Sequence, residues 1–201
     1  MKIEDLMIRN PITISPDTTI SEAIACMKTN SIRHLPVVAG DQRLLGFVTL
    51  ADLKQGLIPS MVGDLTLEDL MIKAPITAAP DQDIEIAAQL IYKHKIGGLP
   101  VVEDGKLWGI ITVTDLLGAF INMMGLLSAS SRVDVVVENK PGALKKAIQV
   151  VNDAGGDIIN IAMTAQKPGQ RVYYFRLTAC DTKKIRAALE AANYKILATM
   201  G

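Results

Sequence analysis

Two short strings in this sequence repeat the same chemistry. Thr49-Leu50-Ala51-Asp52 and Thr112-Val113-Thr114-Asp115 each set a hydroxyl three residues ahead of a carboxylate. A carboxylate that accepts two hydrogen bonds suits a vicinal diol such as that of a ribose, and the hydroxyl can serve a further sugar or phosphate oxygen. Thr and Asp in front of a helix are also ordinary caps, and the two roles are compatible. Cationic groups recur less regularly. Arg33-His34 can hold a phosphate, whereas the matching place further on is Gly97-Gly98, with Lys93-His94-Lys95 just upstream. The plain alternatives are a hydrogen-bonded histidine and a solvated helix end. His34 and His94 are the only histidines, and neither sits in a nucleophile motif or a metal-ligand cluster. No Gly-rich phosphate loop is present, so an enzyme would have to be improvised from Thr112 and Asp115 without a recognisable base. Cys26 and Cys180 lack partners at ligand spacing and read as idle thiols in a reducing compartment.

The elements that hold these groups come from a duplication. Leu6-Met7 and Pro11-Ile12-Thr13 return 64 residues later as Leu70-Met71 and Pro75-Ile76-Thr77. Ile32 to Val38 returns as Ile96 to Val102 at the same offset, and Gly46 to Asp52 returns as Gly109 to Asp115 at 63. Each copy reads as a short extended piece after the proline, a turn at Ser15-Pro16-Asp17 or Ala79-Pro80-Asp81, and a helix. Helix Ile20–Thr29 has Ile20, Ala23, Ile24 and Met27 at helical spacing, matched by Ile84, Ala87, Ala88 and Ile91. Two short strands follow, Leu35–Val38 with Leu45–Thr49, and Pro100–Glu103 with Leu107–Thr112 around an Asp104-Gly105 turn. Asp52 and Asp115 then open another helix. The order is β-α-β-β-α, twice.

These blocks, Leu-Met, Pro-x-Thr, Leu-Pro-Val-Val and Gly-h-h-Thr-x-x-Asp (h apolar), resemble a tandem pair of cystathionine β-synthase (CBS) domains. The resemblance implies one module made of two repeats packed through their sheets, with two clefts for adenosine-containing ligands. On that reading Ile12, Thr13, Ile76 and Thr77 flank the base, Asp52 and Asp115 hold ribose, and Thr49 and Thr112 assist. Arg33, His34, Pro36, Gly98 and Pro100 complete the expected nucleotide-binding set. Sheet core remains the other reading for Ile12 and Ile76.

From Arg132 the pattern changes. Val133–Val137 reads as a strand, then a helix begins near Pro141 with Asn139 as cap and stops at Gly155-Gly156. Strand Ile158–Thr164, a turn around Lys167-Pro168-Gly169, strand Arg171–Thr178, helix Thr182–Asn193 and strand Tyr194–Ala198 complete a β-α-β-β-α-β, ferredoxin-like order. Ile185, Ala188, Leu189 and Ala192 should face inward. Asn139-x-Pro-Gly-Ala-Leu and Gly-Gly-Asp-Ile-Ile-Asn-Ile resemble an ACT domain, a regulatory module that often binds amino acids between paired copies. Asn139, Gly142, Ala143, Leu144 and Asn160 are then the amino-acid candidates. Asn139 stands where that family commonly has Asp, so an uncharged amide would have to grip the ammonium group; a cap and tight turn is the alternative.

The fold class expected is α+β, with a CBS pair at 1–127 (repeats about 1–60 and 64–125) and an ACT domain at 128–201. Net charge is zero over 201 residues, but residues 1–127 carry 10 basic and 15 acidic side chains, and 128–201 carry 11 and 6. An acidic module attracts ATP poorly, which favours AMP or a less charged adenosyl compound. The combination resembles acetoin-utilisation regulatory proteins. The expectation is a non-catalytic sensor without a required cofactor, its effector an adenine nucleotide or adenosyl ligand. The ACT domain is expected to sense an amino acid or to dimerise; a pure assembly module is the rival. Exposed sheet edges and the apolar stretch Leu116–Leu127 point to a homodimer. No secretory signal, membrane span or arginine-rich reading helix is recognisable, so the expected place is the cytoplasm, without nucleic-acid or membrane partners.

Overall fold

The helical spacing of Ile20, Ala23, Ile24 and Met27, and of Ile84, Ala87, Ala88 and Ile91, turns one stripe of each helix into its own apolar core. The computed structural model describes residues 1–55, 65–127, 130–167 and 170–201, in two units, Met1–Leu117 and Gly118–Gly201. The expected turn at Pro168-Gly169, the boundary at residue 128 and the repeat ends at 60 and 64 lie outside the described residues.

In chain order the first unit has a 3-10 turn at Ile3–Asp5, β1 (Ile8–Arg9), α1 (Ile20–Thr29), β2 (His34–Val38), β3 (Leu44–Thr49), α2 (Leu50–Gln55), α3 (Leu67–Leu70), α4 (Ile84–His94), β4 (Gly98–Glu103), β5 (Lys106–Thr112) and the start of α5 (Val113–Met123). Thr19 and Glu22 cap α1 reciprocally. Asp83 precedes α4, but its carboxylate binds Lys2 Nζ at 2.8 Å instead of capping the helix. The extended pieces after Pro11 and Pro75 shorten to single parallel bridges, Ile14 to Val37 and Ala78 to Val101. Asp104 and Gly105 both take positive φ, 50° and 76°, as a two-residue hairpin turn requires.

The two copies exchange their leading segments. Ile3 and Met7 are buried in the core built around α4, β4 and β5, whereas Leu67, in the same place of the second copy, is buried in the core around α1, β2 and β3, with Leu70 and Met71 packed against it. Likewise β1 pairs with β5 through Ile8 and Ile110, and its counterpart Ile72 bridges Phe47 on β3. A Cβ on Gly109 would lie 2.7 Å from Met7 Sδ, and one on Gly46 would lie 2.6 Å from Met71 Sδ. The Leu-Met and Gly blocks of the repeat are therefore mated across copies. Matching bonds, Leu44 N to Gly105 O (3.1 Å) and Leu107 N to Gln42 O (2.9 Å), join the hairpin turns of the copies symmetrically.

In the second unit α5 ends with Gly125 at φ 62° and paired bonds Leu126 N to Ile121 O (3.1 Å) and Gly125 N to Asn122 O (3.0 Å). Then follow β6 (Ser130–Glu138), α6 (Ala143–Asp153), β7 (Ile158–Lys167), β8 (Gln170–Thr178), α7 (Thr182–Ala191) and β9 (Lys195–Met200). The antiparallel sheet runs β7-β8-β6-β9, the ferredoxin-like order, so the α+β class and both topologies are present. Val133, Val135, Val137, Tyr173, Phe175 and Leu177 form a core with Ala147 and Val151 of α6 and Ile185 and Leu189 of α7. Two local expectations are corrected. Asn139 is not a cap: the cap is Gly142, in the left-handed region at φ 78°, because Pro141 fixes the turn before the helix begins. Ala192 is exposed, because α7 stops at Ala191.

Candidate functional site

Strand β3 delivers Thr49 to the start of α2, and β5 delivers Thr112 to the start of α5. Asp52 Oδ2 accepts Thr49 N–H at 3.1 Å and Thr49 Oγ1–H at 2.6 Å, while Asp52 N–H donates back to Thr49 Oγ1 at 3.3 Å. Asp115 Oδ2 accepts from Thr112 N and Oγ1 at 2.8 and 2.7 Å. Each Thr is thus the cap and each Asp lies inside the first turn. The cap fixes the carboxylate and uses only Oδ2, which leaves the lone pairs of Oδ1 for a further donor. The helix starts are less open to anions than the sequence suggests. Leu50 N–H donates to Arg33 O at 2.9 Å and Val113 N–H to Gly97 O at 3.1 Å.

Both pairs line one cavity of about 1140 Å³ in the first unit. Most of its wall repeats between copies: Pro11 with Pro75, Ile8 with Ile72, Ile12 with Ile76, Ile32 with Ile96, and Phe47 with Ile110. Where the copies differ, charge differs. Arg33, His34 and Lys54 come from the first copy, Lys95 and Thr114 from the second. The lining holds three permanent cations against Asp52 and Asp115, so it is locally positive inside an acidic half. Lys95 is the left-handed cap of α4 at φ 57° and borders the cavity, with its Nζ 4.6 Å over the exposed Tyr92 ring; Lys93 and His94 are exposed. Lys54 and Lys95 were not legible as site residues, because nothing in their own motifs sets them apart from surface lysines.

His34 stacks on Phe47 with ring centroids 5.8 Å apart and planes 14° from parallel. Burial, with Arg33 beside it, holds its pKa below the ordinary histidine value, against the pull of Asp52. Its Nε2 would be 2.6 Å from a Cβ on Gly97. The glycine is therefore not an empty counterpart to Arg33: it is the notch that receives the other copy's imidazole. Gly98 also lines the cavity, whereas Thr13, Thr77, Pro36 and Pro100 are not in its wall. Pro36 and Pro100 are buried in β2 and β4, and their carbonyls accept from Ile14 and Ala78 at 3.1 Å each. Among the described residues no His, Cys, Asp and Glu group has metal-ligand geometry.

In the second unit the amino-acid candidates are divided. Asn139 and Gly142 are exposed in the loop before α6, and Ala143 and Leu144 pack on the core. Asn160 on β7 donates its amide to Met123 O at 2.9 Å.

Comparison with known proteins decides the family. Residues 3–58 and 67–122 match the CBS domain, and 129–199 match the TTHA0829-like ACT domain. The chain belongs to the CBS-domain family. It carries a tandem CBS pair followed by an ACT domain. The CBS pair is similar to inosine-5′-monophosphate dehydrogenase of Methanocaldococcus jannaschii, 39% identical over 119 residues, 58% of this chain but 23% of that enzyme. The chain spans about a quarter of the length of the first curated relatives it matches. Among solved structures, the CBS pair of MJ0100, in complex with 5′-methylthioadenosine and S-adenosyl-L-methionine, is 30% identical with TM-score 0.57 and covers 61% of this chain and 97% of that one. A Vibrio cholerae structure described as an acetoin utilization protein (AcuB) is 35% identical with TM-score 0.56, over 63% of this chain and 94% of that one.

Proposed function

We propose that this protein is a non-catalytic cytoplasmic sensor whose CBS pair binds an adenosine-containing ligand, AMP or an adenosyl compound before ATP. One observation carries the reading: a single cavity presents two Thr-capped carboxylates, repeated apolar walls for a base, and unequal cations for whatever the sugar carries. The bound adenosyl compounds of the similar CBS pair support it. The ACT domain serves amino-acid sensing or homodimer formation, and the likeness to AcuB supports a regulatory role in acetoin use. Ligand control requires that the ligand bind two arrangements of the repeats unequally.

The sole tryptophan, Trp108, lies on β5 two residues before the cavity-lining Ile110, and its fluorescence is the expected reporter of binding. Titration with AMP and S-adenosylmethionine should saturate, and Asp52→Ala or Asp115→Ala should each weaken binding about 10-fold or more, the worth of a hydrogen bond to a charged group. Full affinity in the double variant would remove the ribose assignment. If no adenosyl ligand binds the unaltered protein, the assembly reading takes over.

A further inference from the structure

The face of the second unit's sheet opposite α6 and α7, where the end of α5 meets Asn160, carries a row of side chains that the site above does not use. Along β6 and β8, alternate residues pack beneath α6 and α7, so Arg132, Asp134, Tyr174 and Arg176 point to the opposite face. The register sets Arg132 directly across from Arg176, and Arg176 across from Asn160. One carboxylate answers the two guanidinium groups. Asp134, 5% exposed, accepts Arg132 Nη2–H at Oδ2 (3.1 Å), and its Oδ1 lies 2.9 Å from Arg132 Nε as an ion pair without a hydrogen bond.

Arg176 has a neutral partner. Its Nη1 donates to Ser130 Oγ at 2.7 Å, and among the described residues no carboxylate pairs with it. The Nε–Nη2 edge remains, the same edge with which Arg132 grips Asp134, and it matches a carboxylate bidentately. Like charges directly opposite destabilise a strand pair, and a half-buried guanidinium keeps that cost until an anion arrives. Beside it, Asn160 has given one of its two amide N–H groups to Met123 O, which leaves the other N–H as a donor and its carbonyl oxygen as an acceptor.

We propose that Arg176, flanked by Arg132 and Asn160, is a carboxylate-binding site on this face, taking a simple organic acid or the carboxylate of an α-amino acid. The amino-acid form rests on the proposed sensing role of the ACT domain; the carboxylate chemistry does not. It lies on the sheet rather than in the loop of Asn139, Gly142, Ala143 and Leu144.

Scanning calorimetry of the whole chain tests it with glycine and sodium acetate as probes, against sodium chloride of equal ionic strength. At about ten times its Kd, a bound probe should raise the melting temperature of the second unit by about 8 °C. Arg176→Met should abolish that rise while melting no lower than the unaltered protein without probe, and Asn139→Ala should leave the rise intact. Acetate acting without glycine would keep the site and remove the amino-acid role. Glycine stabilisation that survives Arg176→Met but is lost in Asn139→Ala would overturn the site and keep that role. No rise with either probe, or a lower melting point of Arg176→Met in chloride alone, would also overturn the site.

Discussion

His34 shows how one side chain can belong to both repeats. It is stacked on Phe47 of its own copy and seated in the notch at Gly97 of the other. Gly97→Ala should displace the imidazole and cost about 1 kcal/mol in denaturant unfolding, and the cost should vanish in a His34→Ala background. The depressed pKa has a definite sign. The unfolded chain takes up the imidazole proton before the folded one does, so stability from neutral His34 is present above the ordinary value of 6.5 and is lost as pH falls below it. Melting temperature should therefore decline on acidification from pH 7 towards the folded-state pKa, and His34→Gln should flatten that decline. An equal slope in the variant would assign the effect to other groups.

At the scale of elements, the swapped leading segments explain why Leu-Met and Gly recur as blocks. Gly109→Ala should be the more damaging of the two glycine changes, about 2 kcal/mol, because its Cβ meets a backbone oxygen, Ile8 O, at 2.8 Å. Gly46→Ala meets Ile72 O only at 3.2 Å and otherwise a flexible methionine end, so chemical unfolding should rank it milder. The repeat, both helices with their apolar stripes and the hairpins were legible, since each follows from local periodicity or turn chemistry. The exchange was not. Offset matching equates Met7 with Met71, yet says nothing of which copy's glycine each one meets. Asn139 misled for a related reason: a polar residue before Pro141 reads as a cap, and only backbone geometry shows Gly142 taking that place. The capped carboxylates were readable from their spacing, whereas the third dimension alone brings Lys54 and Lys95 to the cavity wall.

For the molecule as a whole, neutrality hides two unlike units, and the positive lining of the cavity sets a local field against the acidity of its own half. The first unit holds two apolar cores, and the second unit draws its one core from residues after 132 alone. A fragment spanning 118–201 should therefore give a dispersed amide NMR spectrum by itself. A fragment ending at 63 should not, since it lacks Leu67 for its own core and exposes Ile3 and Met7, which belong in another. The order of synthesis gains a meaning from this exchange. Residues 3–7 leave the ribosome long before the β4–β5 hairpin they are made for, and the first helix and hairpin must wait for Leu67 before their core can close. Neither half of the duplicated module has a finished partner to fold against until nearly all of that module has emerged, so Ile3 and Met7 stay uncommitted while the rest of the module is being made.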